Sequence, residues 1–179
     1  MELVLSFCGM FYMSQMPAFV HRVLHEGDDA LGPALSAVGV GALLGLIFSM
    51  SMSKKDIRAR LVMGAMTAFG SSLLALSFCT TLLQAYPFLA LLGGSAMVQL
   101  NNTNTLFQML SPPALRGRVL AMHVWAFQGL GPFGIMLFGV FAGREGLHLA
   151  MLIGGACVFL VSMVGWMNRS RLSDTKVDR

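Results

Sequence analysis

A chain of 179 residues that is 56% hydrophobic and only 11% charged cannot dress a water-soluble domain, which carries about 25% charged residues. Its mean hydropathy of +0.73 places most of the exterior in lipid. The net charge of +4 is spread over short basic clusters between apolar runs, which excludes a nucleic-acid patch and makes anionic lipid headgroups the expected neighbours.

Crossing a hydrocarbon core of about 30 Å at 1.5 Å per residue takes roughly 20 mostly apolar residues. Six windows qualify, running approximately from Leu3 to Val20, Ala30 to Met52, Leu61 to Leu83, Tyr86 to Gln108, Val119 to Phe141 and Gly146 to Met167. No basic stretch precedes the first, and Tyr12, Gln15 and Pro17 interrupt its core, so it is expected to be a span and not a signal peptide. The second carries Gly39, Gly41 and Gly45; no strand precedes them, so close helix packing explains them better than a dinucleotide loop. The third and sixth have no amide in their middles, whereas the fourth has Gln99, Asn101, Asn102, Asn104 and Gln108. The fifth contains His123 and Gln128, and its Gly129, Gly131, Pro132 and Gly134 predict packing or a kink.

Between the windows stand short connections with helix breakers: Glu26-Gly27-Asp28-Asp29, Ala85-Tyr86-Pro87, Ser111-Pro112-Pro113 and Gly143-Arg144-Glu145-Gly146. Lipid leaves backbone polar groups no partners but the chain itself, and these runs do not alternate as barrel strands do. The expectation is an all-α polytopic membrane protein of six transmembrane helices, with a spanning domain over 1–168 and a tail over 169–179. Loops rich in Lys and Arg stay in the cytoplasm. Lys54, Lys55, Arg58, Arg60, Arg116, Arg118, Arg169, Arg171, Lys176 and Arg179 fall on one side, and only Arg22 and Arg144 on the other. Both termini are therefore expected on the cytoplasmic side of a plasma (inner) membrane.

Polar side chains inside a span are costly and therefore informative. At 100° per residue, Asn101, Asn104 and Gln108 share an arc of about 60°, with Gln99 and Asn102 on the opposite side. One stripe is expected to line a cavity and the other to bond a neighbouring helix; the sequence leaves open which does which. Gln15 and Gln128 join the candidates for facing a wet route. His123 reads either as a proton carrier or as a hydrogen-bonded interface histidine. No Asp or Glu lies in the middle of any window, so no carboxylate relay is encoded. Cys8, Cys79 and Cys157 are far apart and read as buried packing, and the fifteen methionines as pliable packing. Neither a metal spacing nor a G-x-S-x-G nucleophile motif is present, so neither a cofactor nor an enzyme is expected.

From Asn101 to Gly143 the chain reads NNTNTLFQMLSPPALRGRVLAMHVWAFQGLGPFGIMLFGVFAG. This resembles the carboxyl-terminal half of the major facilitator superfamily, in the drug:proton antiporter branch that includes macrolide and siderophore exporters. Gln108 and the turn Pro113-Ala114-Leu115-Arg116-Gly117-Arg118-Val119 carry the resemblance, with Leu31-Gly32 and the stretch from Ser36 to Ala42 upstream. The loop from Ser51 to Arg60 departs from the family pattern, retaining mainly its basic residues.

The resemblance implies half of a major facilitator fold, a 3+3 inverted repeat. In it the first and fourth spans line the cavity, the second and fifth contact the other half, and the third and sixth face lipid. It implies efflux of an amphipathic small molecule by alternating access, with an amino-terminal six-helix half or a second copy as partner beside the bilayer. Gln15, Asn101, Asn104, Gln108 and Gln128 would then bind substrate, and the glycine-rich second and fifth spans would form the pairing surface. Arg116 and Arg118 are expected to bond helix-end carbonyls or lipid phosphate, or to act as simple anchors. The alternative is a non-transporting membrane module, either a truncated relic or an assembly partner of another half.

Overall fold

A backbone surrounded by hydrocarbon must close its hydrogen bonds within each segment, and this chain does so with helices. The computed structural model describes residues 4, 6–7, 10–52 and 55–167; Cys8, Lys54 and the tail 169–179, with Arg169, Arg171, Lys176 and Arg179, lie outside the described residues. Among these residues there is no strand. The order is α1 (Phe11–Ser14), α2 (Met16–Arg22), a 3-10 turn (Asp28–Ala30), α3 (Leu31–Met50), α4 (Lys55–Phe78), α5 (Leu82–Leu110), α6 (Arg116–Glu145) and α7 (Leu147–Met167). Five segments are long and apolar enough to cross a membrane: Asp28–Met50, Ile57–Phe78, Leu82–Leu110, Arg116–Arg144 and Leu147–Met167.

The first window is built differently. α1 and α2 meet at Gln15, whose φ of −95° and ψ of 2° leave the helical basin. Helical hydrogen bonding nevertheless passes through the joint: the Gln15 N–H donates to the Phe11 carbonyl at 3.0 Å, and the Phe19 N–H donates to the Gln15 carbonyl at 2.8 Å. Pro17 explains the break, because it has no N–H for the Met13 carbonyl and its ring crowds that turn.

Several boundaries differ from the sequence expectation, the start of α4 at Lys55 and not Leu61 among them. α4 ends at Phe78, not Leu83, and Leu82 and Leu83 open α5. Thr81 is extended (φ −129°, ψ 148°), and the apolar residues on both sides conceal this break from a hydropathy reading. Pro87 lies inside α5, where it costs one bond to the Leu83 carbonyl and does not end the helix. α6 runs through Gly143 and Arg144 and stops only at Gly146, whose φ of +100° suits glycine and ends the helix.

Small residues set the helix contacts, as expected where apolar surface gains nothing by leaving lipid. α3 packs along α5: a Cβ on Gly41 would overlap the Ala90 carbonyl, and one on Gly45 the Gly94 carbonyl. α4 packs on α5 and antiparallel to α7, with Gly70 against Phe159 and Gly155 against Leu74. Gly134 of α6 meets the backbone of Phe7, and Phe138 stacks on Phe11 with centroids 4.8 Å apart. The glycines of the second span were expected to form a pairing surface for another half. Gly41 and Gly45 instead face inward onto α5, and α3 turns Val40, Leu43 and Ile47 outward, each more than half exposed. Gly39 has open space around it and Pro132 is exposed, so neither makes a close approach.

Candidate substrate-facing site

The buried face of α3 ends in a ladder with a rung every four residues, Gly41, Gly45 and Ser49, matched on α5 by Ala90, Gly94 and Asn102. Close backbone approach at the glycines brings the two polar rungs within bonding distance. The Asn102 amide donates to Ser49 Oγ at 2.7 Å and to the Val98 carbonyl at 2.8 Å, and its Oδ1 accepts from Arg58 Nη1 at 3.1 Å. Asn101 donates to the same Ser49 Oγ at 2.9 Å. Arg58 enters because α4 already begins at Lys55, carrying the guanidinium into the bundle's end. Its Nε is buried and meets no acceptor among the described residues.

This geometry separates the amides of α5. Gln99 and Asn102 are fully buried against neighbouring helices, whereas Asn101 and Asn104 are half-buried and Gln108 is exposed. On α6, Gln128 is exposed and His123 is buried, its ring centroid 4.8 Å from that of Phe107 on α5. Gln15 is half-buried at the α1–α2 joint with its amide nitrogen facing Gly139. The structure thus brings His123 to α5 and Gln15 to α6 but does not gather the five amides around one enclosed cavity. Gly131 faces the Met10 sulfur.

In the basic turn, Arg116 Nε donates to the Ser111 carbonyl at 3.3 Å, closing the end of α5. Gly117 and Arg118 are exposed. Ser49 and Arg58 were absent from the candidates drawn from sequence. A signal for Ser49 was present, since it continues the spacing of Gly41 and Gly45; Arg58 had none, because a basic residue beside a loop reads as an anchor. Among the described residues no three of His, Cys, Asp and Glu gather to hold a metal ion.

A bundle of lipid-length apolar helices joined by glycine contacts defines a multi-pass membrane protein. The family described as transmembrane secretion effector matches residues 4–178, and the chain belongs to it, within the major facilitator superfamily. It is 21% identical over 169 residues to an uncharacterized MFS-type transporter, YfmI, of Bacillus subtilis (strain 168), covering 93% of this chain and 42% of that protein. It is 28% identical over 134 residues to the multidrug efflux pump Tap of Mycolicibacterium fortuitum, covering 75% of this chain and 33% of Tap. The chain therefore spans less than half the length of these curated relatives. No solved structure matches it significantly. Membership of this family points to a transporter and not to an enzyme.

Proposed function

We propose that this chain is the carboxyl-terminal six-helix unit of an efflux transporter, moving an amphipathic small molecule by alternating access against an amino-terminal six-helix half. The observation that carries this reading is the split of the α5 amides. With Gln99 and Asn102 buried inside the bundle and Asn101 bonded to Ser49 at its edge, the half-buried Asn104 and the exposed Gln108 are left toward the basic end, where a second half would complete a cavity. Gln15 and Gln128 extend that polar lining. His123, buried against Phe107 one residue before Gln108, is the proton carrier in this reading. The relative Tap, a multidrug efflux pump, favours export.

Two inverted three-span repeats, the first with α1 and α2 together as one broken span followed by α3 and α4, the second α5 to α7, are supported by how the helices pair. α3 with α5, and α1 with α6, each join the second span of one repeat to the first of the other. Both pairs run in the same direction and meet at glycines: Gly41 and Gly45 against α5 in one, and in the other Gly134 against Phe7 and Gly139 beside Gln15, on either side of α1. The third spans, α4 and α7, pair with each other. The spanning domain covers 1–168 of a plasma-membrane protein, with a cytoplasmic tail over 169–179.

The test is co-expression of this chain with a matching amino-terminal half in a host stripped of its own pumps, followed by dye and antibiotic efflux. We expect the pair to lower dye retention where either half alone does not. Retention equal to the empty vector, with both halves present in the membrane, would sink the reading in favour of a non-transporting module.

A further inference from the structure

A cavity on the other side of Val98 from the amides lies in the groove that α3 and α4, both packed on α5, leave between them. It measures about 550 Å³ and exists because the facing positions are small: Gly64, Ala65 and Ala68 on α4, with Ala90 and Gly94 on α5. Along α5 it runs from Pro87 to Val98, about 16 Å at helical rise. Among the described residues its lining is apolar apart from Ser95, whose hydroxyl is spent on the Leu92 carbonyl, and one cation. Arg60, exposed near the start of α4, stands at the end marked by Val98 and Phe48, on the side of the basic loops.

We infer that this groove holds one acyl chain of an anionic phospholipid, with the lipid phosphate on Arg60. The argument is one of charge and cross-section, and it goes beyond the transport reading. A cationic amphiphile would bring its head against Arg60. A helix from another subunit, about 10 Å across, is wider than a slot formed by missing side chains and would rest on the rim. An unbranched hydrocarbon chain needs no side-chain room and fits a slot formed by missing side chains. Its anionic head meets the one lining charge, the arrangement that basic pockets between spans use for lipid heads.

The experiment is native mass spectrometry of the full chain, purified in detergent and offered palmitoyl-oleoyl phosphatidylglycerol or the matching phosphatidylcholine. Wild type is expected to retain one phosphatidylglycerol about fivefold better than phosphatidylcholine, the preference that one Arg–headgroup contact gives. Arg60→Gln should abolish the preference while leaving weak binding of both lipids. Gly64→Leu should abolish binding of both: a Cβ there meets nothing within 4 Å, so the larger side chain enters the groove without disturbing the helix. Unchanged helical circular dichroism and elution volume show that both variants fold. Equal retention of the two lipids by wild type, or wild-type retention by Gly64→Leu, overturns the inference. So does a Gly64→Leu variant that loses an oligomer and not a lipid, which would assign the groove to a protein helix.

Discussion

Asn102 and Asn104 stand two positions apart on α5, yet one faces the bundle and the other its open side, so the same substitution should act on different properties. Asn102→Ala removes the acceptor of Arg58 and one donor to Ser49 while leaving both groups where they are. Stranding buried polar partners costs about 1–3 kcal/mol, so the variant should unfold at clearly lower temperature in detergent. Asn104→Ala combined with Gln108→Ala strands nothing of this kind. It should leave the melting temperature unchanged and, in the co-expressed transporter, reduce efflux severalfold. The opposite pattern, with transport spared and stability lost, would remove these two amides from the route. Cys79 offers a third residue-scale outcome. It lies just past α4 and is 5% exposed, its thiol donating to the Ala75 carbonyl at 3.4 Å. Burial raises its pKa above the ordinary 9.0. A raised acid pKa means the folded state holds the proton more tightly, so the stabilisation is complete below the unfolded value and fades as pH climbs through the folded one. Melting temperature should therefore fall more steeply above pH 9 for wild type than for Cys79→Ala; parallel slopes would show that the thiol does not titrate with unfolding.

Elements meet in this chain where side chains are missing, and that makes glycine substitutions directional. Gly45→Val places a side chain into the Gly94 carbonyl, so α3 and α5 must separate and the Ser49–Asn102 rung with them. Overpacking a tight contact costs about 1–3 kcal/mol, and with backbone on the other side the upper end is expected. Gly39→Ala, on the same helix, meets nothing within 4 Å and should melt as wild type or slightly higher, because alanine favours the helix. Comparing the two by thermal aggregation in detergent separates contact from propensity. These contacts also mark how far the elements could be read beforehand. Apolar length located the later helices, and four-residue spacing marked Gly41 and Gly45 as close-packing residues, but it assigned them to another half and not to α5. The α4–α5 boundary was hidden because Leu82 and Leu83 continue the apolar run past the extended Thr81. The α5 stripes were separable by their 100° steps, but which faced inward depended on Ser49 and Arg58, two residues whose chemistry appears only once α3 and α4 lie against α5.

At the scale of the whole molecule, the ends of the helices sort the basic residues. Arg58 and Arg60 open α4, Arg116 and Arg118 open α6, and Arg144 closes α6. At 1.5 Å per residue α6 is about 45 Å long, enough to put its two ends in different aqueous compartments. A positive charge that must cross the bilayer during insertion is opposed, and on that rule the proposed topology keeps the Arg118 end of α6 inside. In a background lacking Cys8, Cys79 and Cys157, a cysteine replacing Arg118 should resist a membrane-impermeant maleimide in intact cells and react once the membrane is opened. One replacing Arg144 should react in both. Arg60→Cys should follow Arg118→Cys, because α4 and α6 begin on the same side in this topology. If the substitutions at 60 and 118 were labelled from opposite faces, α4 and α6 could not run in the same direction through the membrane, and the inverted relation between the two sets of three spans would fail with it.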